Sequence, residues 1–247
     1  MAISIVDTPQ TGAAISGGNV TLTFSTTPNE NDIVLVVGGA GAFRTPNPAA
    51  PGTGYTQIAL NASNIFMGAW YKRMGASPDA NVLCRGSGNS ADATAYVAYV
   101  LRGVDTSTAL DVAATTAGET TAVNPNAPSI TTTTNASWVF ACAGSRVNDA
   151  TIIAPSGYSN HFTVAQTDTN AFTVAACSLE KTTAGAEDPP AWSNWNSGIY
   201  FAISLALRPA GAGWANITKV NGVASTSLSK VNDIAVASIS KVNGISV

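Results

Sequence analysis

The chain has one histidine, His161, among 247 residues. Any Ser-His-Asp relay, Cys-His pair or imidazole metal site would have to be built on that single ring. With no second histidine and no Cys-x-x-Cys, structural zinc is not expected. Three cysteines, Cys84, Cys142 and Cys177, are too sparse and odd a set for a disulfide framework, and read as buried thiols. Charge is scarce as well: 10% of residues are charged and the net charge is -3, so nothing electrostatic favours nucleic acid. Long apolar runs are missing. The longest stretch without a charged residue, 45–71, is broken by Pro46, Pro48, Pro51 and several glycines, so no membrane span is expected. The opening Met1-Ala-Ile-Ser-Ile-Val-Asp7 lacks the basic start and sustained apolar core of a secretory leader.

Helix-face residues are few too. Glu and Lys total nine, whereas Thr alone supplies 29, a bias toward strands and turns. Short apolar or alternating segments punctuated by Gly, Pro, Asn and Ser are the pattern of a sandwich. They predict strands near 19–25, 32–38, 55–60, 64–73, 80–85 and 93–102, then near 128–134, 137–143, 158–168, 170–180, 190–194 and 198–208. Ile33–Val37, Tyr96–Leu101 and Tyr200–Leu207 are apolar on both faces for most of their length and are expected at sheet centres.

The two sets of strands echo each other. Asn31-Asp-Ile-Val-Leu-Val-Val-Gly38 parallels Asn135-Ala-Ser-Trp-Val-Phe-Ala-Cys142, and Pro51-Gly-Thr-Gly-Tyr-Thr56 parallels Pro155-Ser-Gly-Tyr-Ser159, about 103 to 104 residues apart. Asn64–Lys72 parallels Asn170–Lys181, and Tyr96–Arg102 parallels Tyr200–Arg208, in the same order. The expected fold is all-β: an antiparallel, jelly-roll-like β-sandwich of two similar halves, 1–106 and 107–210, packed as two sandwiches or as one. A short β-repeat tail, 211–247, follows.

Pro209-Ala-Gly-Ala-Gly213 has linker composition. Beyond it, Ile217-Thr-Lys-Val-Asn-Gly-Val223, Leu228-Ser-Lys-Val-Asn-Asp-Ile234 and Ile239-Ser-Lys-Val-Asn-Gly-Ile245 recur every 11 residues, with Lys219, Lys230 and Lys241 in strict register. Asn-Gly and Asn-Asp between β-branched residues predict a strand, a tight turn and a returning strand in each unit. Isolated hairpins are marginal, so this tail is expected to gain order against another polypeptide. Its apolar positions Ile217, Val220, Val223, Leu228, Val231, Ile234, Ile239, Val242 and Ile245 are the expected assembly interface. Residues 217–247 carry three Lys and one Asp for +2, leaving -5 on 1–216, a complementarity that would help a tail dock on a neighbour.

Other constellations have bland readings. His161 aligns with Ile58 of the first half, which marks a strand position rather than a base. Glu187-Asp188 ahead of Pro189-Pro190 reads as a solvated loop. Loop carboxylates Asp105, Asp111 and Asp149 are where calcium would find oxygen ligands. Gly86-Ser-Gly-Asn-Ser-Ala91 matches a dinucleotide fingerprint but lacks the parallel strand-helix context that gives such a motif meaning. Trp192 and Trp195, near Tyr200, would suit stacking on a sugar ring; packing of the sandwich interior is the competing reading.

Four blocks carry a family resemblance: Asp32-Ile-Val-Leu-Val-Val37, Pro155-Ser-Gly-Tyr158, Trp70-Tyr-Lys-Arg-Met-Gly-Ala-Ser-Pro78 and Ala98-Tyr-Val-Leu-Arg-Gly-Val-Asp105. Over most of 30–210 the chain resembles a group of β-sandwich modules in bacteriophage structural proteins and bacterial surface proteins. Asn precedes Asp32 where Gly is common in that group, and Tyr55 and Tyr158 stand where Trp is common. The Lys-Val-Asn-Gly repeats are similar to C-terminal repeats of phage virion proteins. The resemblance implies a non-enzymatic virion structural protein without cofactor, of capsid decoration or tail fibre type. Its expected partners are its own copies, most simply as a homotrimer, and major capsid or tail proteins, and its expected place is the particle surface. The rival reading is a receptor-binding or carbohydrate-binding module for host surface glycans.

Overall fold

A computed structural model describes residues 2–42, 51–149 and 151–211, together with paired dipeptides in the tail. The first half contributes Ser4–Ile5 (β1), Gln10–Ala14 (β2), Val20–Thr23 (β3), Ile33–Ala40 (β4), Thr56–Ala62 (β5), Phe66–Arg73 (β6), Asn81–Cys84 (β7) and Thr94–Arg102 (β8). The second contributes Leu110–Ala122 (β9), Ile130–Thr131 (β10), Ser137–Ser145 (β11), Ser159–Gln166 (β12), Phe172–Lys181 (β13), Ala186–Glu187 (β14) and Gly198–Leu207 (β15). All of these ladders are antiparallel. The fold is an all-β sandwich.

Each half builds one large sheet and one ribbon. The first sheet runs β1-β8-β4-β6-β5, with β2 also pairing β8, and the second runs β9-β15-β11-β13-β12. The ribbons are β3-β7 and β10-β14. The large sheets pack face to face over one shared core, to which Leu35, Val37, Val97, Tyr99 and Leu101 come from one half and Phe140, Cys142, Val174, Ile203 and Leu205 from the other. Alternation along each strand sends the intervening residues outward. There, Val34, Val36, Trp70 and Tyr96 meet Val20, Leu22 and Val82 of the first ribbon. On the far side Ala141, Ala175 and Ala202 are covered by Ala127, Ile152, Trp192 and Trp195, and Val139 and Ala206 by Ile130 of the second ribbon. The result is four layers, with the central strands of both large sheets covered on both faces. This is why β4 is buried along its whole length and β8 as far as Leu101.

The echo between the halves is out of step by one residue in the strand β4. Leu35 and Val37 face the shared core and match Phe140 and Cys142, whereas the aligned Asn31 and Asn135 blocks would pair Leu35 with Val139, an outward residue. A slip of one residue exchanges the faces of a strand, so only burial fixes the correct superposition.

Several strands depart from expectation. β2 and the long β9 fall outside the expected strands, because Gln-Thr-Gly-Ala-Ala and Ala-Ala-Thr-Thr-Ala-Gly offer no large apolar alternation. Residues 190–194 form no strand. They make a single bridge, Ser193 to Ile153, and the ribbon partner of β10 is Ala186–Glu187 instead.

Both large sheets end on a paired arginine. Arg102 at the end of β8 donates through Nε and Nη2 to Asp32 at 2.9 and 2.8 Å, a two-pronged contact with a carboxylate that is 1% exposed. Arg208, its counterpart after β15, finds Asp111 of β9 at 3.4 Å, since Ala136 stands where the aligned block has Asp32.

Candidate functional site

Within the tail, Lys219–Val220 (β16) pairs Val223–Ala224 (β17), Lys230–Val231 (β18) pairs Ile234–Ala235 (β19), and Lys241–Val242 (β20) pairs Ile245–Ser246 (β21). In each pair the branched residues stand opposite one another across two intervening residues: Val220 and Val223, Val231 and Ile234, Val242 and Ile245. The three lysines occupy one equivalent register position. The expected interface residues Ile217, Leu228 and Ile239 lie outside the described residues.

The aromatic platform takes a different form from the one its sequence invites. Trp192 and Trp195 are each 1% exposed, packed edge to face at 5.8 Å in the core under the second sheet. Two straps hold them there. Ile153 and Ser193 exchange backbone hydrogen bonds at 2.9 and 3.1 Å, and the Trp195 amide donates to Asn124 Oδ1 at 3.0 Å. Tyr200 is half-buried and packs against the same cluster. Neither indole offers an open face for a sugar ring, which corrects the stacking assignment: a glycan platform needs an exposed ring, and here the rings fill the space beneath the strap.

His161 and Ile58 do occupy matching places. Each sits where its strand slips register, β5 between Gln57 and Ala59 and β12 between Ser159 and Phe162. The imidazole is half-buried, 2.6 Å from Thr163 Oγ1 through Nε2 and 5.4 Å from the Trp192 ring. Burial lowers its pKa. The unfolded chain therefore takes up a proton that the native chain resists, and stability falls as pH drops below the ordinary histidine value of about 6.5. We expect urea midpoints to decline from pH 7 to pH 5 and His161→Gln to flatten that slope; an unchanged slope in the variant would assign it to other groups.

The three carboxylates are taken up by donors of the chain itself, and Asp111 lies within β9 rather than in a loop. Asp105 Oδ1 accepts from the Ser107 and Thr108 amides at 2.8 and 3.1 Å. Asp149 accepts from Thr151 and from the Asn196 amide. Asp111 accepts from the Thr133 and Thr134 amides at 2.6 and 3.2 Å. Its burial would raise the carboxyl pKa, but the hydrogen bonds from Thr134 and Thr133 outweigh that and hold it below the usual carboxylate value. Among the described residues no group of three or more His, Cys, Asp or Glu side chains converges as metal ligands would.

Cys142 and Cys177 lie on adjacent strands, Cys142 in the shared core and Cys177 on the outer face, so their side chains point to opposite sides of the sheet. All three thiols are free and buried, and desolvation pushes Cys84 up to about 12. Gly86–Ala91 is a connection between β7 and β8 with no helix after it. It ends on Asp92, which is 0% exposed and accepts from Asn170 Nδ2 of the other half at 2.7 Å, while Arg146 donates to the Asn170 amide oxygen.

Sequence reading missed a feature that both halves share. Lys72 lies 2.6 Å from Asp79 and 5.8 Å from the Tyr55 ring; Lys181 lies 3.0 Å from Glu187, which also accepts from the Tyr158 hydroxyl at 3.3 Å. Glu187 thus belongs to a clasp between ribbon and sheet rather than to a solvated turn. The shorter aspartate leaves the buried Tyr55 hydroxyl without a partner. Asp79→Glu, which copies the second half, is expected to supply that acceptor and stabilise the protein by about 1 kcal/mol, measured as a raised urea midpoint. A lowered midpoint would show that the two clasps are not equivalent.

No family model, no curated protein and no solved structure matches this chain.

Proposed function

We propose that this chain is a non-enzymatic structural protein of a bacteriophage particle, displayed on its surface as a capsid decoration protein and held there by its C-terminal repeats. The observation that carries the reading is the three-fold recurrence, every 11 residues, of a Lys-Val segment paired antiparallel with the dipeptide that begins two residues after it. Such short hairpins have little stability of their own and become ordered by stacking on neighbours. Copies of the same tail are the simplest neighbours, as a homotrimer, and the particle shell is the other. The sandwich supports the reading in a second way. The central strands of its large sheets are covered on both faces, which suits a body that adds bulk and display, and its net -5 opposes the +2 of the tail. A tail-fibre location would use the same adhesive tail. The glycan-binding alternative has lost its main support, because the tryptophans that motivated it are covered.

The test is a comparison of the full chain with residues 1–210 by light scattering and by binding to particles. The full chain is expected to be oligomeric and to bind, and the shortened chain to be a folded monomer that does neither. A monomeric full chain that fails to bind, or turnover of any compound abolished by a point substitution, would overturn the proposal.

A further inference from the structure

At the end of the sandwich where β8 begins, a buried carboxylate stands at the junction of the halves. Asp92, on which the Gly86–Ala91 connection ends, is 0% exposed, and Asn170 of the other half is 3% exposed. The two form a parallel bridge. The Asn170 amide donates to the Ala91 carbonyl at 2.7 Å, and the Ala93 amide donates to the Asn170 carbonyl at 3.0 Å. These main-chain bonds set the two side chains against each other.

The side chains continue the contact. Asp92 Oδ1 accepts from Asn170 Nδ2 at 2.7 Å, and the Asn170 amide oxygen accepts from Arg146 Nη2. Asp92 Oδ2 is buried without a hydrogen-bond partner. The carboxylate thus receives one hydrogen bond from a neutral donor, and none of the ion pairs among the described residues includes it. A buried carboxylate so sparsely met is costly unless a positive charge lies near. Arg146, exposed just beyond the end of β11, is the cation of this bonded network. A side-chain amide suits the place between them, because it accepts from a cation with one end and donates to an anion with the other.

We propose that Arg146 is the counter-ion of Asp92, acting through the Asn170 amide, and that the three residues form a charge lock between the halves. Asp92 comes from the first half and Asn170 and Arg146 from the second, so the lock closes in one docked register. Apolar faces of similar strands offer each other several near-equivalent fits, whereas a displacement here deprives Asp92 of its donor. The inference concerns the body alone and does not rest on the assembly reading.

Urea unfolding of the full chain, at neutral pH and one fixed concentration, tests the lock through coupling rather than through single losses. Asp92→Asn removes the negative charge and Arg146→Gln the positive one. Although these residues do not touch, their effects on the unfolding constant are expected to depart from multiplicativity by about fivefold, a modest value because Arg146 is open to solvent. Moving the charge along the network is the stronger test. Asn170→Asp places a second carboxylate beside Asp92 and is expected to be severely destabilising. Adding Asp92→Asn leaves one carboxylate, now directly against Arg146, and is expected to recover at least about tenfold over the product of the two single effects. Should Asn170→Asp alone fail to fold, a folded double variant is the expected recovery. Coupling between positions 92 and 146 below about twofold would overturn the proposal. A double variant that fails to fold, or that only matches the product of its single effects, would overturn it as well.

Discussion

Phe140→Ala is expected to destabilise the protein by about 3–5 kcal/mol, the usual cost of removing a large aromatic from a core that cannot fully collapse. Phe140 is 0% exposed in the shared core and meets Tyr99 of the other half edge to face at 5.2 Å. The Tyr99 hydroxyl in turn reaches the Ala176 carbonyl at 2.9 Å, so the ring and its polar handle both cross the interface. At this chain length the loss corresponds to a fall in Tm of roughly 6–20 °C. Its distribution matters more than its size. Because one core serves both halves, amide hydrogen exchange should accelerate in β4 and β8 as well as in β11 and β15, although the substitution lies in β11. Acceleration confined to the second half would mean two independently stable sandwiches and would refute the single shared core.

Gly41 is the second sensitive position, and for steric rather than hydrophobic reasons. A Cβ there would lie 2.1 Å from the Asn170 carbonyl oxygen and 2.5 Å from that of Ala171, both backbone atoms of the opposite half. The same junction carries the Ala93 amide to the Asn170 carbonyl at 3.0 Å and the Gly41 amide to the Ala93 carbonyl at 3.0 Å, so neither side can retreat without breaking one of these bonds. Gly41→Ala is expected to cost about 3 kcal/mol, near the upper end for overpacking, and to lower Tm by about 6–12 °C. Gly75→Ala is the control: nothing lies within 4 Å of the added methyl, and its Tm should remain close to that of the unsubstituted chain. Equal effects at the two positions would show that the close approach of the halves is not what requires glycine at 41.

Much of this molecule can be read from local pattern. The runs Ile33–Val37, Tyr96–Leu101 and Tyr200–Leu207 are apolar for most of their length because both of their faces are covered, and they stand inside the sheets. Pro155-Ser-Gly-Tyr158 announces a turn, and the Tyr158 amide duly donates to the Pro155 carbonyl at 3.1 Å with Gly157 at a φ of 87°. Ile58 and His161, which the echo aligns, each fall at a register slip of their strand, β5 and β12.

The sites were much less legible. An indole reads the same whether it lines a surface or fills a core, and only the strap through Ile153 and Ser193 decides that Trp192 and Trp195 are inside. Glu187 looks like loop punctuation until Lys181 and Tyr158 arrive from other strands. The strand β9 is invisible locally, because small residues and threonines gain their place by pairing with β15 rather than by any alternation of their own.

The amino-acid sequence by itself determined the all-β class, the order of the main strands and the period of the tail, all of which follow from short-range alternation, turn chemistry and spacing. Tertiary structure alone decided which face of each strand points inward, that the two halves share one core, and that the aromatic cluster is closed. Those outcomes depend on which distant segments come to cover a given surface, and no local pattern records that.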